Sequence, residues 1–127
     1  RKQMIEAYEQ KLSDFDLQFL NHYTEERHSS GHLMITRLLG KSMDFRNELI
    51  HRLAEEGVGT NVHYKPLPLL SAYANLGFDI KNYPNAYAHF ANEITLPLNT
   101  RMTDEELDYV CEKFAQCYKE LENEGAK

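Results

Sequence analysis

A chain of 127 residues, 42% hydrophobic and 27% charged, has room for one domain and enough apolar side chains for a core, which excludes disordered and fibrous classes. A formal net charge of −6 with scattered Lys and Arg excludes a general nucleic-acid surface, because that binding needs clustered cations to displace counterions. No apolar run approaches the length of a membrane span, so no membrane partner is expected.

Arg1 to about Leu12 places Ile5, Tyr8 and Leu12 along one face and leaves Glu6, Glu9 and Lys11 for solvent, which predicts an amphipathic helix. There is no apolar signal core, and Arg1 in place of an initiator Met reads as the start of an excised piece whose first helix begins upstream. Asp14 to Gly31 is polar and irregular, with limited strand character near Phe15 to Leu20. His32 to Leu39, bounded by Gly31 and Gly40, holds Leu33, Met34, Ile35, Leu38 and Leu39 and reads as a strand buried on much of both faces. Ser42 can then cap a helix in which Phe45, Leu49 and Leu53 recur every four residues, ending at Gly57.

The next segment, Gly57-Val58-Gly59-Thr60-Asn61-Val62-His63-Tyr64-Lys65-Pro66-Leu67-Pro68, is dense in chemistry-capable groups. Its glycines let the chain turn out of the helix. Val58, Thr60 and Val62 alternate as on a half-buried strand, and Pro66 and Pro68 stop the pairing. His63, Tyr64 and Lys65 therefore project where the sheet runs out. Short helical pieces are expected around Leu69 to Leu76 and Asn85 to Asn92, the second just after Pro84.

Ile94-Thr95-Leu96-Pro97-Leu98 reads as a third strand, its proline confining it to an edge or to the strand's end. Thr103-Asp104-Glu105-Glu106 is a capping box. The helix it opens carries Leu107, Val110, Cys111, Phe114, Tyr118 and Leu121 in one stripe, which is core rather than a cofactor box. Cys111 and Cys117 lie on different faces of that helix, too far apart for a disulfide, and fit a reducing cytoplasm. Glu122 to Lys127 is a polar tail. The predicted fold is a single α+β domain, a small three-stranded, mainly antiparallel sheet with helices packed on one face.

Three side chains are candidates for chemistry. His63 can donate a hydrogen bond or carry a proton, Tyr64 offers a flat ring with a phenol for a sugar or cofactor edge, and Lys65 is a mobile cation for a diphosphate. On residue pattern alone the commoner readings are plainer: a histidine ending a strand, a core tyrosine, an exposed loop lysine. His28 and His32 have His-x3-His spacing, but Ser29-Ser30-Gly31 breaks a helix and no third ligand is evident, so a solvated loop is expected rather than a metal site. The acidic run Asp104-Glu105-Glu106 is explained by the helix dipole. A Gly-rich phosphate loop, a nucleophile elbow and a catalytic triad are missing from the sequence.

The segment from Gly57 to Leu67, followed by Tyr73, Gly77-Phe78, Tyr83-Pro84-Asn85-Ala86 and Ile94 to Leu98, resembles the C-terminal part of the DegT/DnrJ/EryC1/StrS aminotransferases. The resemblance covers nearly the whole chain. It implies the small C-terminal domain of a pyridoxal-phosphate (PLP) enzyme, with residues 1–12 part of the helix that joins it to the large cofactor domain. It further implies transfer of an amino group from an amino acid such as glutamate to a nucleotide-linked keto-sugar, for surface polysaccharide or deoxyamino-sugar biosynthesis, in a cytoplasmic homodimer. His63, Tyr64 and Lys65 would then be substrate-binding residues at the mouth between the two domains, Lys65 assisting with phosphate charge.

PLP catalysis needs a lysine joined to the aldehyde, a carboxylate against the pyridine nitrogen and a phosphate cup. The chain offers no recognisable set, and in the resembled family these belong to the large domain. No catalytic, cofactor-binding or metal-binding residue is therefore expected in this segment, and the isolated chain is expected to be inert. The alternative is a stand-alone α+β binding or interaction module. A small enzyme using His63 and Tyr64 without PLP ranks last, for want of a partner carboxylate at fixed spacing.

Overall fold

In the computed structural model, which describes residues 1–125, the apolar stripes of three helices become the walls of one core. Ile5, Tyr8 and Leu12 bury one side of α1 (Lys2–Lys11). Phe45, Leu49 and Leu53 do the same for α2 (Met43–Glu55), whose start is fixed by Ser42, its hydroxyl accepting from the Phe45 amide at 3.1 Å. The whole stripe from Leu107 to Leu121 is buried along α5 (Asp104–Asn123), which Thr103 caps by accepting from the Glu106 amide at 3.1 Å. Cys111 and Cys117 are both buried free thiols.

The sheet is antiparallel, in the order β1 (Leu17–Phe19), β2 (Met34–Leu38), β3 (Glu93–Leu96). Met34 lies opposite Leu96, Thr36 opposite Ile94 and Leu17 opposite Leu38. With a side-chain period of two, that register sends Met34, Leu38, Ile94 and Leu96 into the core and turns Ile35, Arg37, Glu93 and Thr95 to the other face. β3 is an edge strand of the sheet and Pro97 follows its last residue, as the proline requires. Between α2 and β3 the chain forms only short helices, α3 (Ser71–Ala74) and α4 (Pro84–Ala91), with single 3-10 turns at Leu67–Leu69 and Ile80–Asn82. The fold is thus the expected α+β class, but its strands are not all the expected ones.

The strand expected over Val58 to Val62 does not form; Asn61 alone makes an isolated bridge to Thr95. The reason lies at the end of α2. Gly57, at φ 80°, turns the chain so that its amide bonds Ala54 O at 3.0 Å and the Val58 amide bonds Leu53 O at 2.8 Å. This is the double-bonded helix terminus in which the second residue past the cap is committed to the helix. Val58 is buried, yet its N–H is not available to a sheet. The third strand is instead β1, from the irregular stretch with limited strand character. The polar tail expected from Glu122 also begins as helix. α5 runs through Asn123, Glu122 pairs with Lys41 at 3.0 Å, and Glu124 takes Arg52 on both oxygens at 2.6 and 2.8 Å. Residues 126 and 127, the rest of that tail, lie outside the described residues.

Candidate functional site

Edge strand β3 sets the site. Glu93 and Thr95, two apart, share the face turned from the core, and the bridge between Asn61 and Thr95 (Asn61 N–H to Thr95 O 3.2 Å, Thr95 N–H to Asn61 O 2.7 Å) lays the following loop across them. The His63 backbone N–H donates to Glu93 Oε2 at 2.9 Å, His63 Nδ1 lies 2.8 Å from Thr95 Oγ1, and the Thr95 hydroxyl donates to Glu93 Oε1 at 2.5 Å. Glu93 is completely buried and Thr95 nearly so. Both of its carboxylate oxygens are satisfied, as burial demands.

From this buried base the side chains emerge. His63 is half-buried, and the Tyr64 ring stands edge-on to it, with centroids 4.5 Å apart and planes at 88°. Tyr64 is 70% exposed and Lys65 is exposed without an ion pair among the described residues. The structure thus brings His63 and Tyr64 together at the surface, with Lys65 next in the chain. Glu93 and Thr95, which sequence reasoning did not single out, complete the group. Their signal is the Glu-x-Thr spacing at a strand edge, where an acidic residue beside apolar neighbours should have prompted a search for its partner.

Arg46, on α2, closes the other side of β3. Its guanidinium is buried, with Nη1 donating to Phe90 O at 2.6 Å and Glu93 O at 2.9 Å. Burial lowers its pKa and the Glu93 charge opposes that shift. On the same outer face Arg37 bonds Asn92 Oδ1 at 3.0 Å and Ala88 O at 3.3 Å, holding α4 to the sheet.

From Gly59 to Ala91 no side chain is fully buried, although the segment is rich in large apolar groups. Tyr64, Leu67, Tyr73, Leu76, Phe78 and Tyr83 are all exposed, Leu76 at 74%. Internal contacts are few, such as the Tyr73 and Phe78 rings at 6.2 Å. Large apolar and aromatic side chains left exposed this densely along one segment are what a face covered by another surface presents.

Three of the helix starts are poor cups for a phosphate. Thr103 closes α5, where Asp104, Glu105 and Glu106 would repel an anion; Ser42 closes α2 beside Asp44; and α4 opens on Pro84, which has no N–H. An open cleft of about 420 Å³ between Gly57, Gly59, Pro97 and the start of α5 is flanked by Glu105 and Glu106. It too is unsuited to phosphate. Among the described residues there is no cluster of three or more His, Cys, Asp or Glu able to hold a metal ion, and His28 is engaged through its backbone in a bridge to Tyr23.

The profile of the DegT/DnrJ/EryC1/StrS aminotransferase family matches residues 1–115. A Streptococcus pneumoniae protein assigned as a sugar aminotransferase, Spr1654, solved in its PLP form, is 50% identical with a TM-score of 0.91, the match covering 94% of this chain and 31% of that one. The aminotransferase TlmJ of Streptoalloteichus hindustanus is 26% identical with a TM-score of 0.82, over 94% of this chain and 31% of its own. The Bacillus subtilis spore coat polysaccharide biosynthesis protein SpsC is 33% identical over 69 residues, 53% of this chain and 18% of that protein. The chain spans about a third of the solved structures and at most a fifth of the curated relatives it matches. With 115 of its 127 residues covered by the family profile, the chain belongs to the DegT/DnrJ/EryC1/StrS aminotransferases.

Proposed function

We propose that this chain is the C-terminal small domain of a PLP-dependent enzyme that moves an amino group from glutamate to a keto-sugar carried on a nucleoside diphosphate. The observation that carries the reading is the unburied segment from Gly59 to Ala91. Its apolar row needs a cover, and the remainder of the enzyme, roughly twice the length of this chain by the share matched in its relatives, supplies one. In that arrangement α1 leads from the large domain. The apolar row meets that domain, and His63, Tyr64 and Lys65 stand at the seam, facing the sugar and its diphosphate. PLP, held by the large domain, supplies the electron sink for amino transfer. This chain's own residues bind and orient the acceptor. The complete enzyme is a cytoplasmic homodimer.

The test pairs the complete open reading frame with the 127-residue chain. The complete protein, loaded with PLP, is expected to convert a nucleoside diphosphate-linked keto-sugar to its amino form in the presence of glutamate. The chain alone, mixed with PLP, is expected to form no stable lysine-bound chromophore. Failure of the complete protein across a panel of keto-sugars overturns the assignment, and a stable chromophore on the chain alone overturns the division of labour.

A further inference from the structure

Glu93 is a fully buried acid held next to an imidazole through one hydroxyl, and with Glu93 present as the carboxylate whose charge acts on the buried Arg46 guanidinium, the donor count in that group has one solution. The His63 backbone N–H can only donate, so Glu93 Oε2 accepts. Thr95 has a single hydroxyl hydrogen. Were it given to His63, Thr95 Oγ1 would face Glu93 Oε1 at 2.5 Å with lone pairs opposed, which a buried carboxylate does not tolerate. The hydrogen therefore goes to Glu93. Thr95 Oγ1 must then accept from His63, so Nδ1 carries a proton. Nε2 has no hydrogen-bond partner among the described residues and is not sealed from solvent.

We infer that Glu93 and Thr95 are positioning residues which lock His63 in its Nδ1–H tautomer and so present Nε2 outward as a hydrogen-bond acceptor. An acceptor there takes a donor, such as a hydroxyl of the sugar, and disfavours an oxyanion. That divides the labour in the loop, since Lys65 is the group suited to phosphate and His63 the group suited to a neutral ring hydroxyl. Only this last step rests on the proposed function. The tautomer itself stands on the hydrogen-bond geometry.

The isosteric variant Glu93→Gln makes the relay testable, because it should reverse it. The His63 backbone N–H keeps the amide oxygen at the Oε2 position, which puts the NH2 group against Thr95 Oγ1. Thr95 then turns its hydrogen to His63 Nδ1, and the imidazole moves its proton to Nε2.

Imidazole 15N shifts, read by long-range 1H–15N correlation on the 127-residue chain at a pH where a free imidazole is neutral, report the tautomer directly. Nδ1–H in the parent chain and Nε2–H in Glu93→Gln are expected. Nε2–H in the parent chain, or an unchanged tautomer in a folded Glu93→Gln, overturns the relay. Should that variant lose its amide dispersion, the parent spectrum still decides, and Thr95→Ser, which keeps the hydroxyl, is expected to preserve Nδ1–H.

In the complete enzyme Glu93→Gln is expected to raise the keto-sugar KM about five- to tenfold, the worth of one hydrogen bond, with the glutamate half-reaction untouched. A reversed tautomer with an unchanged keto-sugar KM leaves the relay standing and overturns the reading of Nε2 as an acceptor for a sugar hydroxyl.

Discussion

Tyr8 of α1 donates its phenol hydrogen to the carbonyl of Pro97 at 2.5 Å, tying the first helix to the chain just past β3. The ring is completely buried, and burial, reinforced by the nearby Cys111 thiol, raises the phenol's pKa far above the usual tyrosine range. It is therefore always available as a donor. Tyr8→Phe keeps the ring and leaves the carbonyl unpaired, with an expected loss of about 1–2 kcal/mol, read as a lower urea midpoint at unchanged slope.

Arg46 fastens α2 to the start of β3 through the carbonyls of Phe90 and Glu93, and its guanidinium lies 5.0 Å over the Phe90 ring. Lysine keeps the charge but not the planar fork, so Arg46→Lys is expected to cost about 2–3 kcal/mol and Arg46→Ala about 3–5. Hydrogen exchange should quicken most at the β3 amides, because those two carbonyls lie at the first residue of that strand and just before it. A uniform rise across the whole core would mean that Arg46 supports the fold generally and not β3 in particular.

The two cap hydroxyls act on separate helices. Ser42→Ala and Thr103→Ala each remove the acceptor for one otherwise unpaired amide, Phe45 N–H and Glu106 N–H. Each is expected to cost about 1 kcal/mol, and the double variant should show the sum to within about 0.5 kcal/mol, since the capped amides lie on different helices.

What could be read from the sequence follows from how local the signal is. α2 and α5 announce themselves because cap, period and stop all lie within a few residues of one another. β2 and β3 are apolar runs with clear boundaries. β1 is only Leu17–Phe19, and what makes it a strand is the long-range pairing of Leu17 with Leu38 and Phe19 with Thr36. The β-branched alternation at 58–62 misleads for the converse reason, since a local device, the cap of α2, claims the Val58 amide first. The candidate site divides in the same way. His63, Tyr64 and Lys65 are legible as a run, whereas Glu93 joins them only through a contact thirty positions away.

Raising the pH above 9 should loosen the core. Burial pushes the Cys111 thiol from 9.0 up to about 11 and the Tyr118 phenol from 10.0 up to about 12. Between each pair of values the folded chain holds a proton that the unfolded chain has lost. Stability is thus fully present below pH 9 and falls as the pH rises, with a slope of at most about 1.4 kcal/mol per pH unit for each group. Urea midpoints from pH 7 to 11 should trace this decline, to which the Cys117 thiol and the Tyr8 phenol, both also raised by burial, add their own shares, and Cys111→Ala should lessen the slope between pH 9 and 11 without abolishing it. In keeping with its high pKa, the native Cys111 thiol should react slowly with a disulfide reagent at pH 8 and rapidly in denaturant.

Tyr64 and Lys65 separate function from stability. Neither side chain supports the core, so Tyr64→Ala and Lys65→Glu should each alter unfolding free energy by no more than about 0.5 kcal/mol. In the complete enzyme both should raise the keto-sugar KM, but through different physics. Loss of the Tyr64 ring removes a packing surface, an effect indifferent to salt. Lys65→Glu places a negative charge where a diphosphate is proposed to lie, and its penalty should be greatest at low ionic strength and shrink as the Debye length falls from about 30 Å at 0.01 M to about 3 Å at 1 M. A penalty that does not respond to salt would place Lys65 away from the diphosphate, and no penalty at all would remove it from the site.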